Sequence, residues 1–215
     1  MGELVKVKTH NLNISQAKGI KKRDNASVRL SKVFTQELPS YFTHDEIEKL
    51  FSDVNKERYF PQYVLCLFLY LTGVRVSEAL SVMAKDLDFK NGSLRVKTLK
   101  RKNHARVLPT PQALLGDLAV WMVQKKVGRN DQLFGFNRQT AYCHVRKLCE
   151  VSDIDKEKAH PHVFRHTYAV RLVTQQVPLP VVQQMLGHAD ITKTLIYTKI
   201  TANDIKAYMN NVRFF

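Results

Sequence analysis

The sequence predicts a mainly α-helical domain with one small antiparallel β-sheet, on three observations. Apolar residues recur at helical spacing in several segments beyond residue 37. Only residues 93–108 switch to strand-like alternation around a polar tip. No internal repeat or low-complexity tract interrupts the pattern, and 215 residues with 44% hydrophobic content can bury a substantial core.

Taken in order, residues 1–36 contain Lys6, Lys8, Lys18, Lys21, Lys22, Arg23, Arg29 and Lys32 against only Glu3 and Asp24, without sustained apolar periodicity. This segment reads as a flexible basic arm, and a folded domain is expected over 37–200. Thr43 followed by Glu46 is a capping-box pattern opening an amphipathic helix through Ile47, Leu50 and Phe51. Arg58 to Thr72 reads as a buried helix stopped by Gly73, and a short helix follows around Ser77 to Met83.

Ser93–Lys97 and Arg106–Leu108 flank a polar tip at Lys100–His104, the pattern of a hairpin. Thr110-Pro111 supplies an N-cap and a first-turn proline for a helix through Trp121. Further helices are expected at Arg138–Cys149, His162–Thr174, Pro180–Leu186 and Asp190–Tyr197, with a short terminal helix in a 201–215 tail that ends in Arg213-Phe214-Phe215.

Thirty-four Lys and Arg against 19 Asp and Glu give a net charge of +15, which favours a polyanionic partner, nucleic acid first. Cys66, Cys143 and Cys149 are an odd set within helical segments, so a disulfide framework is not expected and a reducing compartment fits. The strongest apolar run, Tyr63 to Leu71, is far shorter than the ~20 residues that span a bilayer. With no apolar leader at the N-terminus, a cytoplasmic location without membrane contact is expected.

The chemistry-bearing residues cluster late. His162-Val163-Phe164-Arg165-His166 precedes Leu186-Gly187-His188, and Tyr197 follows. These groups can attack a phosphodiester without a metal. Displacement at phosphorus places negative charge on two non-bridging oxygens, which planar arginine forks can hold. A tyrosine nucleophile would store the bond energy as a phosphotyrosyl ester, but its ordinary pKa of about 10 requires help to ionise. His162 and His166, at i and i+4, could instead bind a metal, yet Val163 stands where a zinc-protease motif needs glutamate and no clean third ligand follows. No metal or other cofactor is expected.

Thr72-Gly73-Val74-Arg75-Val76-Ser77-Glu78, the His162–His166 motif, Leu186-Gly187-His188 and Ile196-Tyr197-Thr198 resemble, in order, the tyrosine recombinase (phage integrase) family over residues 38–200. The resemblance implies that family's catalytic-domain fold and a site-specific DNA recombinase. It implies that Arg75 and Arg165 clamp the scissile phosphate, His162 assists proton transfer around the nucleophile and His188 bonds a non-bridging oxygen. Tyr197 would attack to leave a 3′-phosphotyrosyl link, and a Holliday junction would follow. Glu78 would orient Arg75 or its helix, and His166 would support the motif.

The family's general acid is a hairpin lysine. Lys100 fits best when counted back from Arg106-Val107-Leu108-Pro109, with Lys102 and then Lys97 as alternatives, and the Gly-Lys-Gly tip of many members is absent. Implied partners are double-stranded DNA at specific sites, three further copies in a tetramer, and accessory DNA-bending proteins. The 201–215 tail would dock on a neighbouring protomer or on its own chain. Most members carry a helical core-binding domain before the catalytic one, whereas here only the basic arm is seen, as in small fimbrial-switch recombinases. A type IB topoisomerase and a non-catalytic DNA-binding regulator remain alternatives.

Overall fold

A computed structural model of the chain describes residues 37–98, 105–188 and 190–199. The basic arm, the hairpin tip with Lys100 and Lys102, and the C-terminal tail lie outside the described residues.

Helix α1 (His44–Leu50) begins with the expected capping box: the Glu46 backbone N–H donates to Thr43 Oγ1, and the Thr43 backbone N–H to the Glu46 carboxylate. Helix α2 (Asp53–Arg58) follows a Ser52 cap. The buried helix expected from Arg58 begins instead at Phe60. Tyr59 closes α2 with non-helical backbone angles, and Pro61 occupies the first turn of α3 (Phe60–Thr72), where a missing N–H costs nothing. Gly73 ends α3 at φ 61°, as expected of a left-handed cap.

Helix α4 (Val76–Ser81) leads through a 3₁₀ turn (Ala84–Asp86) into a sheet of order β1-β2-β3, antiparallel throughout. Strand β1 (Leu87–Asp88) pairs with β2 (Ser93–Lys97), which pairs with β3 (Ala105–Pro109) in the register Lys97↔Ala105 and Ser93↔Pro109. Alternation turns Leu94, Val96, Arg106 and Leu108 inward and Arg95, Lys97 and Val107 outward.

Helix α5 (Gln112–Gln124) starts one residue later than the sequence suggests. Thr110 is held by the hairpin, its N–H donating to the Gly92 carbonyl and its hydroxyl to the Leu108 carbonyl, so Pro111 becomes the cap. Helices α6 (Arg138–Val151), α7 (Pro161–Thr174) and α8 (Leu179–Leu186) match expectation within two residues. The single helix expected over Asp190–Tyr197 is a short α9 (Thr192–Leu195) running into a 3₁₀ turn (Ile196–Thr198).

Helix α3 is the hub. It packs against α5, α6 and α7 and buries Val64, Leu65, Cys66, Phe68 and Leu69 completely, each apolar side chain contributing about 1.5–3 kcal/mol. Trp121 and Phe134 fill one end, and the Trp121 indole N–H donates to the Leu133 carbonyl at 2.8 Å. Phe42 packs its ring at a tilt against Phe164 of α7, with centroids 4.8 Å apart, and the Phe42 N–H donates to Thr167 Oγ1. These contacts fix the α7 segment that carries Arg165 and His166.

Candidate active site

Arg165 sits in the middle of α7 and is 4% exposed. Its guanidinium donates to the Gly73 carbonyl at 2.7 Å and to the Leu186 carbonyl at 2.6 Å. Those carbonyls belong to helix ends, where intrahelical partners run out. One side chain therefore joins the turn before Arg75 to the turn before His188. Burial and the Arg75 charge pull its pKa down to about 9, which leaves it cationic at neutral pH.

Arg75 lies just before α4 and is partly exposed. Its backbone N–H donates to Glu78 Oε2 at 2.9 Å and its Nη1 to Glu78 Oε1 at 3.1 Å, the orienting role expected of Glu78. Glu78 is 2% exposed and also receives Arg106, with Nη2 at 2.9 Å and Nη1 at 3.2 Å. Burial would raise the Glu78 carboxyl, but the hydrogen bonds and charge of Arg106, then of Arg75, outweigh it and hold the pKa below its ordinary value.

Tyr197, in the last 3₁₀ turn, is 3% exposed, and its hydroxyl lies 2.7 Å from His166 Nδ1. The structure thus places His166, rather than His162, against this hydroxyl. Residues i and i+4 share a helix face but reach different heights, and His162, one turn earlier, is exposed, with the two rings 6.4 Å apart. The sequence signal for His166 was its i+4 spacing from His162, which puts both on one helix face.

Burial raises the Tyr197 hydroxyl to about 12 against the opposing pull of Arg165. Burial, with the charges of His162 and Arg165, lowers His166 to about 4. At neutral pH the pair is a protonated tyrosine and a neutral imidazole. Ionising Tyr197 at pH 7 in this state would cost roughly 7 kcal/mol. The Tyr197 hydroxyl therefore rests protonated against a neutral imidazole.

His188 follows the left-handed Gly187 cap of α8. Its Nδ1 lies 2.9 Å from the hydroxyl of fully buried Thr194. Burial and the charges of Arg165 and Arg75 lower its pKa to about 3, so it too is neutral. His162 is lowered by desolvation and by His160, Arg165, Arg75 and Arg138. Arg75, His162, Arg165, His188 and Tyr197 therefore share one electrostatic environment. Lys97 ends β2 on its outer face, immediately before the undescribed tip. Sequence reading places Arg106 among the hairpin cations available to a phosphate backbone; the structure turns it inward, and its place beside inward Leu94, Val96 and Leu108 marks a charge that must find a partner. Among the described residues no cluster of three His, Cys, Asp or Glu could hold a metal ion, and no helix is long and apolar enough to cross a membrane.

The family model of the phage integrase family matches residues 40–204. The chain belongs to this family. It is 29% identical over 201 residues to the tyrosine recombinase XerD of Pasteurella multocida, covering 85% of this chain and 65% of that protein. Against XerD of Haemophilus influenzae the identity is 30% over 200 residues, with the same coverage. The crystal structure of XerA recombinase superposes with a TM-score of 0.69 at 26% identity, over 84% of this chain and 66% of that one. The catalytic domain of bacteriophage HP1 integrase superposes with a TM-score of 0.61 at 18% identity, over 80% of this chain and 94% of that one, so the fold is that of the family's catalytic domain. The chain spans less than two thirds of the length of these curated relatives.

Proposed function

We propose that the chain is a site-specific DNA recombinase that cuts and rejoins strands through a 3′-phosphotyrosyl intermediate. The observation carrying this reading is the Tyr197 hydroxyl at 2.7 Å from a neutral imidazole, beside two arginines whose geometry is set by helix ends. A solved relative, XerH, is a site-specific recombinase bound to its difH substrate in a pre-cleavage complex, superposing with a TM-score of 0.65 at 25% identity over 79% of this chain and 53% of that one.

The scissile phosphate enters between Arg75 and Arg165, whose remaining N–H groups hold its non-bridging oxygens. In the tautomer whose Nδ1 accepts from the Thr194 hydroxyl, His188 carries its ring proton on Nε2, where it bonds a further phosphate oxygen. Tyr197 Oη attacks phosphorus as its proton passes to His166, whose basicity rises once an anionic phosphate lies nearby. The P–O5′ bond breaks, and a hairpin lysine, Lys100 before Lys102, protonates the leaving oxygen. The freed 5′-hydroxyl then attacks the 3′-phosphotyrosyl ester on the partner duplex, forming a new P–O5′ bond as the P–O bond to tyrosine breaks and the tyrosine hydroxyl is reprotonated, and two rounds pass through a Holliday junction.

Residues 1–36 act as a basic arm on DNA, 37–200 catalyse, and 201–215 dock on a protomer. Four copies assemble on two double-stranded sites, with accessory DNA-bending proteins, in the cytoplasm at the nucleoid. No cofactor takes part.

The test uses nicked suicide duplexes tiled across the genomic segment that encodes the chain. The expected result is a covalent protein–DNA adduct mapped to Tyr197 and absent in Tyr197→Phe. An adduct at another residue, or none on any duplex, refutes the reading. Relaxation of supercoiled plasmid without exchange between two sites would assign a topoisomerase instead.

A further inference from the structure

We infer that Arg106 is a positioning residue for phosphoryl transfer, a strut that holds Arg75 and the His188 turn at a set separation. The inference rests on the recombinase reading above and adds to it a residue that touches no substrate.

Arg106 lies on the inner face of β3, opposite Val96 and beside Leu108, where an apolar side chain would complete the sheet's packing. Its guanidinium instead binds two distant segments. Nη1 and Nη2 donate to the two oxygens of Glu78, the carboxylate that also holds the Arg75 backbone and side chain. Nε donates to the Met185 carbonyl at 2.9 Å, three residues before His188. A Cβ added at Gly187 would lie 2.8 Å from Arg106 Nη1 and 3.1 Å from Cζ, so the glycine at that turn also makes room for the guanidinium.

Arg165 makes the parallel connection, from the Gly73 carbonyl to the Leu186 carbonyl. Two arginines on different elements therefore cross-brace the same pair of segments, residues 73–78 and 185–187. Arg165 also presents itself to the site, whereas Arg106 commits all three of its nitrogens to the brace. A buried ion pair of this kind is a poor way to gain stability compared with well-packed apolar side chains. A planar fork does fix direction and distance, which a lysine cannot reproduce.

The experiment measures adduct formation at saturating suicide duplex by wild type and by Arg106→Lys, alongside DNA affinity and melting temperature. Misplacement of catalytic groups by about 1 Å costs about 10²-fold in rate. Arg106→Lys should lose adduct formation on that scale while DNA affinity stays within about threefold of wild type. If Arg106→Lys melts far below wild type, the paired variant Glu78→Gln/Arg106→Met, which removes both buried charges together, carries the comparison, read against Glu78→Gln alone so that the loss of the Arg75 partner is counted separately.

A second substrate carries sulfur in place of the bridging 5′ oxygen. Its leaving thiolate needs no proton, so the P–S bond breaks without help from the hairpin lysine. The deficit of the Arg106 variants should persist on this substrate, because the clamp is what has moved. Adduct formation within about threefold of wild type by the variant that folds overturns the inference. So does full rescue by sulfur, which would assign Arg106 to placing the lysine. Wild-type protein that forms no adduct on any duplex sinks the recombinase reading, and the strut with it; wild-type adduct with unaffected variants sinks the strut alone.

Discussion

Alanine at Gly73 should destabilise the fold and disarm the site together. Gly73 has φ 61°, and a Cβ there would lie 2.2 Å from Cδ1 of Tyr168 and 2.8 Å from Cε1 and Cγ. Tyr168 is 8% exposed and has its hydroxyl directed at Met185 Sδ, so its ring has little room to withdraw. The left-handed backbone costs about 1–2 kcal/mol for a residue with a Cβ, and overpacking a dense interior costs about 1–3 kcal/mol. The sum, about 2–5 kcal/mol, corresponds to a fall in melting temperature of about 5–15 °C for a domain of this size.

The same substitution at Gly116 is the control. That glycine lies on the exposed face of α5, and a Cβ added there would meet nothing within 4 Å, so alanine should stabilise by about 0.5–1 kcal/mol. Thermal and urea unfolding followed by far-UV circular dichroism measures both. Because the Gly73 carbonyl anchors Arg165, Gly73→Ala should also form adduct more slowly at temperatures where it is folded. A Gly73→Ala protein that melts within about 2 °C of wild type, or a Gly116→Ala protein destabilised as much, would refute the steric argument.

Other outcomes follow from the same geometry. His166 and His188 have folded pKa values near 4 and 3, below the ordinary 6.5; the unfolded chain therefore binds more protons below about pH 6.5, and stability should fall as pH drops from there toward 4. Urea unfolding at several pH values measures the slope, and His166→Gln/His188→Gln should flatten it; an unchanged slope would contradict the assigned burial. Cys143 is exposed while Cys66 and Cys149 are buried, with burial raising both thiols and Cys149 to about 12. A thiol reagent should thus label one cysteine in native protein and all three after unfolding. Asn55 is 5% exposed and its amide donates to the carbonyls of Lys49 and Leu50 and to Ser152 Oγ. Asn55→Ala should cost about 1–3 kcal/mol in urea unfolding, and a loss below about 0.5 kcal/mol would count against that network.

Much of the architecture was legible because it depends on neighbours in sequence. The Thr43–Glu46 box, the Gly73 cap and the β2–β3 alternation each involve a few adjacent residues whose backbone preferences are intrinsic. The misplaced boundaries arose where a remote or competing partner intervened. Thr110 is taken by Gly92 and Leu108 and so does not cap α5. At Tyr59, closure of α2 competes with continuation into α3, and helical periodicity alone does not decide between them.

The sequence by itself determined the family and the order of chemical groups, since Arg75, His162, Arg165, His188 and Tyr197 are recognised by type and local motif. Tertiary structure decided which imidazole meets Tyr197, that this hydroxyl rests protonated, and that Arg106 and Arg165 brace the same two segments. The physical reason is range. Caps and periodicity act within a turn or two of chain, whereas Arg106 reaches Met185 across 79 positions and His166 reaches Tyr197 across 31. Such contacts exist only once the α3 core has packed and set the distances between helix ends.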